Sequence, residues 1–294
     1  MKKLFALLSF VFVLPATLTS CGGNDEYTIV VGASAAPHAE ILEVCKPLLQ
    51  EQGYTLKIKT FADYIIPNTS LEDEEIDANY FQHITYLNDF NVEHGTHLVS
   101  VGAVHYEPFG IYAGSKNDLS KVANGDKVIV PNDATNEARA LLLLEEQGLI
   151  DLKDDAGIKA TKNDIVSNPY NLDIIEMNAE IIASVKEDAA FAIINGNYAI
   201  TAGLKVTDAL AIESSEGMAA TAYGNVLAVK QGHENDAKIK ALYEALTSAS
   251  VKEYINKTNQ ELKEKGDLYF KICLAIGLVI VILLWWSYEY FYFI

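Results

Sequence analysis

Of the 22 basic residues in this 294-residue chain, 21 are lysine and one is arginine, Arg139. A chain so biased towards lysine can put lysine at any solvated position. A single retained arginine therefore points to a position that needs the planar guanidinium, which pairs with a carboxylate through two parallel hydrogen bonds. Arg139 stands in Asp133-Ala-Thr-Asn-Glu-Ala-Arg139, just after a predicted strand and in the first turns of a predicted helix. Free N–H groups and the helix dipole favour an anion there. The competing reading is a surface salt bridge to Glu137 or Glu145.

A second cluster reads Asp63-Tyr-Ile-Ile-Pro-Asn68, followed by Asp77-Ala-Asn-Tyr-Phe81-Gln-His83-Ile-Thr-Tyr86. Tyr64, Phe81 and Tyr86, with His83 among them in loop-rich sequence, can line an apolar slot with polar tips. Such walls suit a thioether, since sulfur–aromatic contacts are favourable; the competing reading is ring packing in a core. Two segments carry asparagines at predicted strand ends, Asn195-Gly-Asn197-Tyr198 and Tyr223-Gly224-Asn225. Their side-chain amides offer donors and acceptors for an amino or carboxylate group, although Asn-Gly is also a plain turn signal.

The six histidines raise the question of a metal. His94 and His97 are three apart and His105 follows, but no spacing is diagnostic, so no metal or cofactor is expected. The three cysteines, Cys21, Cys45 and Cys273, are far apart and match neither a zinc knuckle nor a disulfide framework. Catalytic signatures are missing too: there is no Gly-x-Ser-x-Gly elbow, phosphate loop or His-Glu-x-x-His, and no dinucleotide fingerprint after Gly32-Ala33-Ser34. A net charge of −18 argues against nucleic acid as a partner.

The elements that must position these residues alternate between strand and helix. Tyr27–Gly32 reads as a buried strand, followed by a helix over Pro37–Gln52 that Pro47 is expected to kink. Thr55–Phe61 alternates Leu56 and Ile58 with Lys57 and Lys59. Further strands are predicted at 98–104, 109–113, 127–130, 173–176, 190–194, 209–212 and 225–230, and the clearest helices at 136–147, stopped by Gly148, and 234–246. Strands regularly separated by helices mean an α/β protein with mostly parallel sheets. The length suits two lobes with a ligand in the cleft between them. Cys45 shares a helix face with Ile41, Leu48 and Leu49 and is expected in the core.

Both ends are apolar. Lys2-Lys3, the run Leu4 to Leu14 and Leu18-Thr19-Ser20-Cys21 form a secretory signal whose last four residues resemble a bacterial lipobox. That implies cleavage after residue 20 and lipid attachment at Cys21. Removing residues 1–20 takes away two lysines and no acid, which moves the net charge from −18 to −20. At the other end, the fifteen residues Ile272 to Trp286 carry no charge, and Trp285, Trp286 and Tyr288 cluster near one end. Residues 268–294 read as a membrane-spanning helix with an aromatic belt. The lysines at 263, 265 and 271 precede it, against the usual preference of positive charge for the cytoplasmic side. A second anchor and a fusion or reading-frame artefact therefore both stay open.

Taken together, these stretches resemble the methionine-binding lipoproteins of ABC importers, the NlpA lipoprotein family. The most specific pieces are Asp63-Tyr64-x-x-Pro67-Asn68, Asp77-Ala-Asn-x-Phe81-Gln-His83-x-x-Tyr86-Leu87, Asn132-x-x-Thr135-Asn136-Glu137-x-Arg139 and Asn195-x-x-Tyr198. The resemblance runs from the lipobox to about Asn256. It implies a two-lobe periplasmic-binding-protein fold of type II-like topology, with lobe 1 at 27–114 plus 215–259, lobe 2 at 115–214, and residues 21–26 as anchor and linker. Tyr64, Phe81, His83 and Tyr86 would surround the ligand side chain and Arg139 would take its carboxylate, while Asn195 and Asn225 would help to hold the α-amino and carboxylate groups. The implied protein is not an enzyme but a lipid-anchored receptor on the outer face of the cell membrane. It would pass methionine, in its L- or D-form, to an importer permease and its ATPase. A methionine-containing dipeptide or another amino acid as cargo, an extracytoplasmic metal-binding protein, and a secreted enzyme are the alternatives.

Overall fold

The structure is a computed structural model that describes residues 26–214 and 222–258. The expected signal peptide, Cys21 and the apolar segment 268–294 lie outside the described residues. Among the described residues no helix is long and apolar enough to cross a membrane.

In the first half, strand β1 (Thr28–Ser34) is buried along almost its whole length and leads through a tight turn at Ala35–Ala39 into α1 (Glu40–Glu51), which continues through Pro47. There follow β2 (Thr55–Phe61), α2 (Ile66–Glu72), β3 (Ala78–His83), α3 (Ile84–His94) and β4 (Leu98–Tyr106). The middle of the chain contributes β5 (Gly110–Ala113), β6 (Lys127–Pro131), α4 (Ala134–Glu146), the short pair β7 (Asp151–Leu152) and β8 (Ile165–Ser167), β9 (Asp173–Met177), α5 (Ala179–Val185), β10 (Phe191–Ile194), α6 (Gly196–Thr201) and β11 (Ala209–Ile212). The chain ends its described course with β12 (Gly224–Lys230), α7 (Ala237–Leu246) and a helical turn at 249–258.

Two five-stranded sheets result, ordered β2-β1-β3-β12-β4 and β11-β5-β10-β6-β9. They are mixed, which corrects the expectation of mostly parallel sheets. β1 runs parallel to β2 and β3, and β6 runs parallel to β9 and β10, as right-handed strand–helix–strand units require. β12 returns from the other sheet and so enters antiparallel between β3 and β4, while β5 makes antiparallel pairs with β10 and β11. The chain changes sheet between Tyr106 and Gly110 and again between Ile212 and Gly224. β5, placed in lobe 1 by the 27–114 boundary, is thus hydrogen-bonded into the second sheet, because its partners β10 and β11 lie there.

Each sheet has its own core. Ile29, Val31, Leu42, Cys45, Tyr80, Leu227, Leu242 and Val251 lie in the first, with Tyr254 and Ile255 packed against it. Cys45 is fully buried, and burial pushes its thiol up to about 12, so it is an inert core residue. The second core gathers Phe109, Ile111, Val128, Val130, Leu141, Leu144, Phe191 and Ile193. Its principal helix, α4, starts where Asp133 Oδ1 accepts the Asn136 N–H at 2.9 Å, and it ends at Gly148 in the left-handed region (φ 68°).

Candidate functional site

Between the lobes lies a cavity lined by Tyr64, Phe81, Gln82, His83, Tyr86, Glu107, Asn136, Arg139, Asn195, Gly196, Asn197 and Asn225. All seven ligand-binding candidates from the sequence are in this lining, brought there by six different elements or turns. About 340 Å³ of non-atom space lies inside it, counted out to its mouth.

The turn that carries Tyr64 is built by Asp63, whose Oδ1 accepts the N–H groups of Ile65 and Ile66 at 2.8 and 2.7 Å. Tyr64 stacks on Tyr198 with ring centroids 4.8 Å apart and leans on Phe81 and Tyr86 at 5.6 and 5.7 Å. Its hydroxyl donates to Asn197 Oδ1 at 2.6 Å, and the Tyr198 hydroxyl donates to the Ala62 carbonyl at 3.1 Å, so two bonds close the cleft from opposite lobes.

β3 was read as loop-rich sequence, yet all six of its residues are buried. Its polar side chains belong to a closed network in which Asn68, Asn79 and Gln82 exchange four hydrogen bonds of 2.6–2.9 Å, and Asn79 also donates to the Pro67 carbonyl. The Pro67-Asn68 and Asn79 positions of the motif therefore hold α2 against β3 and leave Phe81 and His83 facing the cavity.

His83 begins α3 by accepting the Tyr86 N–H at Nδ1, 3.0 Å away, which places its proton on Nε2, facing Asn136 Oδ1 at 3.3 Å. Burial, then the nearby Arg139 charge, lower its pKa to about 3, so the ring is neutral. Asn136 also accepts from Asn195 Nδ2 at 2.8 Å and is itself held by Asp133.

Arg139 is buried, which removes the surface salt-bridge reading. Its partner is Glu213, just past β11: Nε donates to both carboxylate oxygens at 3.0 and 2.8 Å, and Nη2 donates to Glu213 and, at 2.9 Å, to the Glu107 carbonyl. Tyr223 and Phe109 flank the guanidinium at 4.4 and 4.7 Å. These bonds use Nε and Nη2, and Tyr106 lies on the same ion pair, its hydroxyl donating to Glu213. The two-bond grip inferred from the sequence is thus made, but on a carboxylate of the protein itself.

Three buried polar atoms around the cavity have no hydrogen-bond partner: Asn195 Oδ1, Asn197 Nδ2 and Tyr223 Oη. An unpaired buried acceptor beside an unpaired buried donor is costly unless a ligand or water completes both. Sequence reading misses Glu107, Asn136 and Glu213, and names Asn197 within its segment without placing it in the ligand set. The Asn195-Gly-Asn197 pattern held the signal for Asn197; Glu213 has no local signal. The histidines His94 and His97 stay apart from His105: His94 stacks on Phe90 and lies beside Glu93, whereas His97 pairs with Glu72.

The NlpA lipoprotein family matches residues 29–266. The methionine-binding lipoprotein MetQ of Bacillus subtilis is 42% identical over 269 residues, 87% of this chain and 96% of the relative. Among solved structures, a lipoprotein from Ruminococcus gnavus is 55% identical with a TM-score of 0.79, covering 80% of this chain and 97% of that one. A nutrient-binding protein from Burkholderia cenocepacia, bound to methionine, is 38% identical with a TM-score of 0.75, covering 80% and 98%.

Proposed function

Since the chain belongs to the NlpA lipoprotein family, we propose that its cavity takes up methionine as the zwitterion and that the protein hands it to an ABC importer. It is a substrate-binding lipoprotein, not an enzyme. The observation that carries the ligand assignment is the pairing of unfilled groups in one dry cavity. Asn195 Oδ1 can only accept and so suits the α-ammonium, while Asn197 Nδ2 can only donate and, with the remaining Arg139 donors, suits the carboxylate. Tyr64, Phe81 and Tyr86 then surround the thioether, with neutral His83 at its edge and Asn225 beside the polar end.

In this reading the N-terminal segment is removed and Cys21 carries the lipid that holds the protein at the outer face of the membrane. Residues 28–106 with 224–258 form one lobe and 110–212 the other. The permease and its ATPase are the partners that receive the ligand when the lobes part. Calorimetric titration with L-methionine, D-methionine and Gly–Met tests the assignment. One-site binding of methionine, weaker for norvaline-like chains without sulfur, is expected, and heat with Gly–Met alone would move the cargo to a dipeptide.

A further inference from the structure

Behind the ligand-facing ring, where the chain first changes sheet, His38, His105 and Glu107 converge in a way that the methionine reading does not use. His38 comes from the turn after β1, His105 from the end of β4, and Glu107 from the crossing itself. His38 Nε2 and His105 Nε2 lie 3.0 and 2.9 Å from Glu107 Oε1, and the three donor atoms all fall within 4.8 Å of one another. His38 is fully buried and Glu107 is 9% exposed.

The far nitrogen of each ring is held by a hydroxyl. His38 Nδ1 is 2.6 Å from Ser34 Oγ, and His105 Nδ1 is 2.5 Å from Tyr80 Oη. With the Ser34 hydroxyl hydrogen turned to the Ala36 carbonyl, 3.3 Å away, Ser34 Oγ accepts from His38 Nδ1–H, which is the tautomer a metal at Nε2 requires. His38 Nε2 then carries a lone pair, and it is a buried atom without a hydrogen-bond partner despite its closeness to Glu107. A lone pair against a carboxylate in a dry site is repulsive unless a cation sits between them. Neutral imidazoles and an ionised carboxylate are the forms that coordinate a metal.

We infer that His38, His105 and Glu107 form a site for a divalent transition metal of the zinc class in the wall of the ligand cavity. Two imidazoles and one carboxylate would leave a fourth position, and one of the three ligands, Glu107, also lines the cavity. Ser34 and Tyr80 would orient the rings from behind, as outer partners of metal-bound histidines do. Bonds of about 2.0–2.1 Å in a tetrahedron set donor atoms roughly 3.3 Å apart, so each histidine–glutamate distance need open by only a few tenths of an ångström. His105 moves its proton from Nε2 to Nδ1, where Tyr80 Oη accepts it.

The test does not depend on the methionine reading. Full-length protein in detergent is stripped with a chelator and titrated with Co2+ in the absence of amino acid. Expected are one equivalent of Co2+ with the visible absorption of a four-coordinate ion, its displacement by Zn2+, and at least tenfold weaker uptake in His38→Gln and in Glu107→Gln. His97→Gln, at the surface pair with Glu72, should bind as wild type. Absence of the absorption, or uptake that survives both substitutions, overturns the inference. If the variants do not fold, X-ray absorption of the zinc-loaded wild type decides: two nitrogen and further oxygen donors at about 2.0–2.1 Å support the site, and an all-oxygen shell overturns it.

Discussion

Arg139 and Glu213 form an ion pair in which both side chains are almost wholly buried, 5% and 7% exposed, at the head of the ligand cavity. The pair links α4 to the stretch where the chain leaves the second sheet, so the only arginine of the chain is already neutralised before a ligand arrives. Removing one partner of such a pair leaves a charge without compensation in a dry site, which costs about 3–5 kcal/mol. Glu213→Gln should therefore lower the unfolding free energy of the unliganded protein by about that amount in urea denaturation. Methionine should restore part of the loss by supplying a carboxylate, so its stabilising effect should exceed that on wild type. An equal ligand effect on both proteins would show that the ligand does not reach this charge.

Arg139→Lys keeps the charge but removes the geometry. Lysine cannot hold Glu213 and the Glu107 carbonyl while presenting further donors to the cavity. Methionine affinity should fall by about 2–4 kcal/mol, roughly 30- to 1000-fold. Affinity within threefold of wild type in calorimetry would mean that the guanidinium only braces the fold.

Phe81 stands at the border between cavity and core, 4% exposed and in contact with Tyr64 and Tyr86. Because one side of the ring faces the cavity, Phe81→Ala should cost less stability than the roughly 3–5 kcal/mol of a fully packed phenylalanine. Its larger effect should be on methionine affinity. A collapse of melting temperature with unchanged residual affinity would assign the ring to the core.

Acid should weaken the fold through its buried histidines. His38 and His83 are held neutral by burial, with pKa values lowered from 6.5 to about 4 and about 3. The unfolded chain binds these protons below about pH 6.5 and the folded one does not, so stability is complete above that pH and falls as pH drops towards 4. Each ring contributes about 3 kcal/mol over that range at 1.36 kcal/mol per pH unit. His83→Gln should flatten the stability profile between pH 4 and 6.5 in urea melts. A profile as steep as wild type would place the acid sensitivity elsewhere.

The site was more legible than the sheets around it. Arg139 and the aromatic trio stand out because their types are rare or bulky in an acidic, lysine-rich chain, and each sits beside a local turn or cap signal, such as Asp63 or Asp133. Residues 78–83 did not read as a strand because a strand buried on both faces shows no alternation, and its Asn79 and Gln82 look like loop residues until Asn68 satisfies them. Glu213 was out of reach, since nothing local ties it to an arginine 74 positions earlier. The same holds for His38, whose neighbours His105 and Glu107 come from the far edge of the same sheet. The direction of β5 and β12 depends on which sheet each strand returns to, and a strand's own sequence does not carry that.

The C-terminal stretch is expected to be dispensable for binding. Among the described residues every lining residue lies between Tyr64 and Asn225. The first core is sealed on its last side by Val251, Tyr254 and Ile255, so the chain up to that helical turn carries structural weight. Residues 272–294 carry a single charge, Glu289, in an otherwise apolar sequence. Truncation after Asn259 should therefore give a protein that binds methionine within threefold of the full chain and melts cooperatively. Truncation before Val251 should not, because removing a fully buried valine and its helical turn exposes Ile239 and Leu242 of α7. Calorimetry on the two truncations separates the cases, and a non-binding or unfolded product from the longer one would show that the tail is part of the binding unit.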